Sequence, residues 1–292
     1  METPPVVVIT GATNGLGRLA SLDLARKGAH VVMIARSRQK ADALTQEIAQ
    51  IAPGSKADVF LADLSLLADV ERVGRQITAG FPRIDVLINN AGVHAFSQRV
   101  TAEGLSEMTV VNYLAPWMLT DLLRERLTAS APSRIVTVAS QASKHSGDSG
   151  PVRDLGDTAP YSRRESSLRY GWTKLLDIMF TQELGRQLQG TGVAVTCCDP
   201  GFNVTGLGRD LPGAGTLEKV LKALPIGDPQ HGADIIVRLA TDPAFAEITG
   251  GYFGARGGKP LTCPPAGSDE EIQRELWWAT ADFLHEVRST WP

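Results

Sequence analysis

Four β-branched residues, Val6-Val7-Val8-Ile9, run directly into Thr10-Gly11-Ala12-Thr13-Asn14-Gly15-Leu16-Gly17. Nothing else in the chain constrains the fold as much. Beyond the turn, Leu16, Leu19, Ala20 and Leu24 share one helical face, and Gly28 supplies a stop. Strand, glycine turn and helix open a dinucleotide-binding unit. Glycines turn the chain tightly and let backbone N–H groups approach a pyrophosphate, which then faces the positive end of the helix. The spacing is G-x-x-x-G-x-G rather than the common G-x-G-x-x-G. By itself such a turn is equally a tight strand-to-helix connection without a ligand, so the rest of the chain has to decide.

The rhythm continues. Val31-Val32-Met33-Ile34, Val59-Phe60-Leu61, and residues 84–88, 134–138 and 193–197 read as buried strands. Between them Ala41, Leu44, Ile48 and Ile51, then Val70, Val73 and Ile77, recur at helical spacing. Residues 105–127 and 168–188 read as longer helices, a further helix follows His231, and a short strand precedes Gly254. Continuous apolar strands alternating with amphipathic helices predict an α/β, doubly wound parallel sheet with helices on both faces. No repeat or linker divides the 292 residues, which are expected to form one domain, 1–292. Two loops interrupt the rhythm at about 141–167 and 205–230, and residues 268–292 read as a C-terminal helical extension. Both loops leave carboxyl ends of strands, where open α/β sheets bind ligands.

Composition narrows the class. A net charge of −3 gives no electrostatic case for nucleic acid. Three cysteines without a C-x-x-C argue against a disulfide framework or a zinc site and suit a reducing compartment. There is no basic segment before the first strand and no apolar run near the ~18 residues of a spanning helix. The expectation is a cytoplasmic protein with no membrane span.

At the strand ends lie Asp63, then Asn89-Asn90-Ala91-Gly92, then Ser140, then Pro200-Gly201; Tyr170 and Lys174 stand four apart on one helix face. Together with the glycine turn, this ordered set over about residues 5–260 resembles the short-chain dehydrogenase/reductase family. Ile34-Ala35-Arg36-Ser37, Phe180-Thr181-Gln182-Glu183-Leu184, Gly251-Tyr252-Phe253 and the wide gap between Ser140 and Tyr170 look most like its retinol-dehydrogenase-like branch. Most vertebrate members of that branch carry a membrane anchor before the glycine turn.

The resemblance implies a Rossmann-type fold and assigns roles. Tyr170 is similar to the general acid that protonates a carbonyl oxygen, and to the base in the reverse direction. An isolated tyrosine has a pKa of about 10, so a fall of roughly two or three units needs about 3–4 kcal/mol of differential interaction. Lys174 and the charge of a nicotinamide would supply it; Lys174 also resembles the ribose-binding lysine. Ser140 would hydrogen-bond the substrate oxygen, and Asn112 would hold a water linking Lys174 to solvent. Gly11, Thr13, Asn14, Gly15, Leu16 and Gly17 would hold the pyrophosphate. Asp63 and Leu64 would meet adenine, with an N-cap role for Asp63 as the alternative. Asn90, Ala91 and Gly92 would flank adenosine. Pro200, Gly201, Asn203 and Thr205 would meet the nicotinamide, although the family has Val or Ile where Asn203 stands. His94 and His145 follow strand ends, either as solvated residues or as substrate contacts.

An NAD enzyme places an acid at the end of the second strand. Here Ala35 occupies that position and Arg36 follows, able to pair with a 2′-phosphate. The expected cofactor is therefore NADP(H). The expected activity is that of an NADP(H)-dependent carbonyl reductase or alcohol dehydrogenase acting on a fairly large apolar ketone, aldehyde or alcohol. Gly206, Leu207, Leu211, Leu217, Val220 and Leu221 would form an apolar lid or an ordinary packed helix. The alternatives are reduction of a conjugated C=C bond and a non-catalytic NADP(H)-binding sensor or scaffold. The C-terminal segment, with Trp277 and Trp278, could pack on its own domain or on a second subunit of a homo-oligomer.

Overall fold

The first hydrophobic run forms strand β1 (Val6–Thr10), completely buried, and the glycine turn leads into helix α1 (Gly15–Arg26). In this computed structural model, residues 3–147, 154–201 and 228–291 are described. The alternation continues through β2 (His30–Ala35), α2 (Arg38–Ile51), β3 (Ala57–Leu61), α3 (Leu67–Gly80) and β4 (Val86–Asn89). A short helix α4 (Glu107–Thr109) passes through a π turn (Val110–Leu114) into α5 (Ala115–Ala129). Then come β5 (Ser133–Val138), α6 (Arg163–Gln187), β6 (Val193–Asp199), α7 (Pro229–Thr241), β7 (Gly251–Gly254), β8 (Pro260–Leu261) and α8 (Glu270–Ser289).

The strands form one sheet in the order β3-β2-β1-β4-β5-β6-β7-β8, parallel throughout except for the β7–β8 pair. Successive side chains of a strand face opposite sides. Val8, Leu87 and Ile135 pack with Val73, Leu123, Leu176 and Leu276 of α3, α5, α6 and α8. Ile9, Ile88 and Val136 pack with Leu24, Leu44 and Ile236 of α1, α2 and α7. The chain runs outward from β1 to β3 and then returns to β4 on the other side of β1. That reversal puts the topological switch point between the carboxyl ends of β1 and β4.

Three details differ from the sequence reading. Helix α6 begins at Arg163, not near residue 168, because a capping box starts it: the Ser162 hydroxyl accepts from the Glu165 N–H, and the Glu165 carboxylate accepts from the Ser162 N–H at 2.7 Å. The helix expected over 105–127 changes pitch at the π turn. Asp63 lies beyond the end of β3, where its carboxylate accepts from the Ser65 N–H and hydroxyl, shaping the turn before α3. Strand β8 escapes sequence patterning because it is two residues long and opens with Pro260 at the sheet edge. Among the described residues no helix is long and apolar enough to cross a membrane.

Candidate active site

The site begins at the switch point. Gly11 and Gly15 have φ of 63° and 49°, the left-handed region open to glycine. A Cβ on Gly17 would lie 2.3 Å from the Gly11 carbonyl oxygen and 2.5 Å from the Asn90 amide nitrogen, so α1 and its turn come too close for any side chain there. Thr10 fastens the turn to β4. Its hydroxyl accepts from the Asn90 and Ala91 N–H groups at 2.9 and 3.0 Å, and the Asn90 amide donates to the Thr10 carbonyl at 2.9 Å. Leu64 lines a crevice with Thr10 and Ala91. Thr13, Asn14 and Leu16 complete the turn.

The N-terminus of α1 is unlike those of α2, α3, α6, α7 and α8, while α5 continues directly from the π turn. Ser37, Ser162, Asp228 and Asp269 cap α2, α6, α7 and α8 with their side chains. The Glu103 carboxylate accepts from the first N–H groups of α3. Asn14 makes no such bond, and the first turn of α1 holds no acid. Those N–H groups are left to an external anion, which fits the pyrophosphate of a dinucleotide. At the end of β2, Ala35 is buried and Arg36 exposed.

The carboxyl end of β5 presents Ser140, which caps a 3₁₀ turn (Gln141–His145) by accepting from the Ala142 N–H at 3.1 Å. That bond leaves the hydroxyl hydrogen to donate. Asp199, at the end of β6, holds the same turn: it accepts from the Gln141 N–H at 3.1 Å and from the Gln141 amide at 2.9 Å. Helix α6 then brings Tyr170 alongside. The approach depends on Gly171, where a Cβ would sit 2.5 Å from the carbonyl oxygens of both Ala142 and His145. Gly171 and Asp199 are site-building residues that the sequence reading missed. A glycine inside a strongly helical pattern, directly after Tyr170, was the available signal.

Lys174 is buried, with its ammonium 6.0 Å from the Tyr170 ring centre. It donates to the Val138 carbonyl and to the Asp177 carboxylate, both at 2.8 Å, leaving one of its three N–H groups. A Cβ on Gly92 would lie 3.8 Å from the Lys174 nitrogen and 3.6 Å from Asn112 Oδ1, so the Asn90–Gly92 turn, Asn112 and Lys174 converge. The side-chain amide of Asn112 is engaged by protein. It accepts from the Val93 N–H at 2.8 Å and donates to the Val93 carbonyl and the Thr173 hydroxyl at 2.9 and 3.0 Å.

His94 stacks on Tyr170 with ring centres 4.7 Å apart, and the Phe96 ring centre lies 4.6 Å from that of His94. Burial pushes the His94 pKa down. His145 lies in the 3₁₀ turn and is exposed. Gly201 follows β6 with φ 76°, and Pro200 precedes it. Asn203, Thr205 and the six residues expected to form a lid lie outside the described residues. Without a nicotinamide charge beside it, Tyr170 is held above the range of free tyrosine: burial outweighs the lowering effect of Lys174, and the Asp177 and Asp199 charges add to the rise. Among the described residues no group of His, Cys, Asp and Glu is arranged to hold a metal.

Comparisons with known proteins bear on the family and the fold. The sequence profile of a family described as short chain dehydrogenase matches residues 5–152. Human retinol dehydrogenase 13 is 33% identical over 284 residues, covering 95% of this chain and 84% of the relative. Mouse retinol dehydrogenase 14 is 37% identical over 287 residues, covering 93% and 83%. A Streptomyces protein named as a candidate daunorubicin C-13 ketoreductase is 36% identical, covering 94% and 91%. Among solved structures, an uncharacterized protein from Mycobacterium paratuberculosis superposes with a TM-score of 0.73 at 29% identity, covering 98% of this chain and 96% of the other. A metagenomic blue fluorescent protein in complex with NADPH gives 0.67 at 25% identity, covering 87% and 97%.

Proposed function

Because the chain belongs to the short-chain dehydrogenase/reductase family, retinol-dehydrogenase-like in sequence, we propose that it is an NADP(H)-dependent carbonyl reductase or alcohol dehydrogenase acting on a sizeable apolar substrate. The observation that carries this reading is the convergence of Ser140, Tyr170 and Lys174 beside a glycine turn whose helix N-terminus has no cap of its own.

Gly11, Thr13, Asn14, Gly15, Leu16 and Gly17 would hold the pyrophosphate through backbone N–H groups. Asp63, Leu64, Asn90, Ala91 and Gly92 would flank the adenosine half; Pro200, Gly201, Asn203 and Thr205 belong to the nicotinamide half. When bound, the nicotinamide supplies or accepts the hydride. In reduction, Tyr170 donates its phenolic proton to the carbonyl oxygen and Ser140 donates a second hydrogen bond to the same oxygen. The raised pKa of Tyr170 keeps it protonated at neutral pH, the form reduction needs. Lys174 draws the proton inventory toward the phenolate in the reverse direction, and its remaining N–H is available to a ribose hydroxyl. Any water that Asn112 holds falls to its main-chain carbonyl in the π turn, since its side-chain amide is engaged by protein.

NADP(H) preference rests on the exposed Arg36 directly after Ala35, which stands where an NAD enzyme would have an acid, and on the NADPH-bound neighbour. The substrate class rests on the aromatic wall of Tyr170, His94 and Phe96 and on relatives named for retinol and for a ketone of daunorubicin. The three free cysteines suit a reducing compartment such as the cytoplasm.

The test follows NADPH and NADH consumption with large apolar ketones, aldehydes and enones, with Tyr170→Phe as control. NADPH-dependent formation of an alcohol that the control abolishes is the expected result. Loss of enone absorbance without alcohol would instead indicate C=C reduction, and cofactor binding without turnover across the panel would indicate a sensor.

A further inference from the structure

About four turns of α6 beyond its exposed start at Arg163, a carboxylate stands where apolar packing would be the default. Asp177 is 1% exposed, and its Oδ2 receives the Lys174 ammonium at 2.8 Å. Its Oδ1 is buried with no hydrogen-bond partner among the described residues. A buried acid with one oxygen unsatisfied is costly to keep. Its place in the fold explains what it does there. Lys174 and Asp177 are three apart on one helix face, and Tyr170 is one turn before Lys174. The three side chains share one face of α6, with Lys174 between Tyr170 and Asp177 along the helix.

We propose that Asp177 is a positioning residue for the Tyr170–Lys174 unit: it holds the Lys174 ammonium against the Val138 carbonyl and offsets part of its charge, setting the pH at which Tyr170 exchanges its proton. The proposal rests on the functional reading above for its consequence in turnover, though not for the ionisation itself. An ammonium at this distance favours the phenolate, and an anion bonded to that ammonium opposes it. Tyr170 accordingly titrates higher with Asp177 ionised, which suits a proton donor in carbonyl reduction.

Other groups face the pair. Tyr113 approaches from the π turn, and Cys197, Cys198 and Asp199 from β6. Burial holds the phenol of Tyr113 and the two thiols in their neutral forms at working pH. Asp199 adds to the rise at Tyr170, but its carboxylate is bonded to Gln141 on the Ser140 turn rather than to Lys174. Burial pushes the Asp177 pKa up, while the Lys174 ammonium bonded to it lowers it and favours the ionised form.

The experiment compares wild type with Asp177→Asn, which keeps shape and an accepting oxygen while removing the charge. If that variant does not fold by thermal melting, Asp177→Ser carries the same comparison. Two readouts are taken. The first is the phenolate absorbance on alkaline titration, with the Tyr170 component isolated by subtracting Tyr170→Phe and no substrate present. The second is the pH profile of kcat for alcohol oxidation with NADP⁺. The expected result is that Tyr170 ionises at lower pH without the carboxylate, and that the rising limb of oxidation moves down by about one pH unit, roughly tenfold in rate at a fixed pH on that limb. An unchanged phenolate titration overturns the proposal, as does a uniform loss of rate with no shift of the limb, which would mean a purely structural role. If the wild type oxidises no alcohol in the panel, the functional reading fails separately, while the phenolate titration still decides on Asp177.

Discussion

The residues with the strongest chemistry here owe it to what they touch. Tyr170, beside a cation on one side and under an imidazole on the other, is still held above the ordinary tyrosine range by burial. His94 has the opposite shift, because its charged form is the one that burial disfavours. A histidine with a depressed folded pKa contributes stability above its unfolded value near 6.5, and that contribution is lost as pH falls through the folded value. His94→Phe keeps a ring against Tyr170 and removes the titration. The melting-temperature difference between wild type and this variant should therefore change from pH 7.5 to pH 5, with wild type losing more on acidification; a constant difference would contradict the assignment. Arg36 tests cofactor choice at the same scale. Because its side chain is exposed, Arg36→Asp should weaken NADPH by about 1–2 kcal/mol, roughly tenfold, while NADH changes little. An unchanged ratio of the two dissociation constants would remove Arg36 from the NADP(H) argument.

At the scale of elements, the site is a matter of how closely neighbours approach. Ser140 and Tyr170 belong to a 3₁₀ turn and a helix that meet over Gly171 without a side chain between them. Gly171→Ala puts a methyl group against two backbone carbonyls that cannot yield as a flexible side chain would. The expected cost is about 1–3 kcal/mol of stability, with kcat falling tenfold or more because Ser140 and Tyr170 are pushed apart. Thermal melting and steady-state kinetics read the two effects separately, and an alanine variant with normal kcat would show that the approach is not needed. The glycine turn works in the same way: Gly17 admits the Gly11 carbonyl and the Asn90 amide, so β1, β4 and α1 reach the switch point together.

Across the whole molecule, α8 ties the end of the chain to the site. Trp277 stacks on Phe180 at 5.9 Å and tilts against Trp117 at 4.9 Å, while the Thr280 hydroxyl meets Tyr113 at 2.8 Å, one residue from Asn112. The helix covers α5 and α6 in the same chain, which answers where the two C-terminal tryptophans go: Trp277 is buried within this chain and Trp278 is exposed. Trp277→Ala should cost about 3–5 kcal/mol by denaturant unfolding, with a lower melting temperature and a smaller loss in kcat than Gly171→Ala causes. A near-neutral result would mean that α8 is not part of the cooperative unit.

The alternating apolar runs and the glycine turn are local patterns, and periodicity with turn chemistry was enough to determine the parallel sheet and most of its helices, whereas the roles expected at its carboxyl edge came from the family resemblance. Those signals depend on neighbours within a few positions along the chain. What remained belongs to partners far apart in sequence. The start of α6 was a short-range exception, set by the Ser162–Glu165 capping box that the apolar pattern does not show. The hold of Asp199 on the Ser140 turn, the engagement of Asn112 by Val93 and Thr173, and the reach of α8 across α5 and α6 were decided by tertiary packing. So was the direction of the Tyr170 pKa. A motif records which groups are present, whereas burial and the hold of the Asp177 carboxylate on Lys174 exist only once the chain has folded around them.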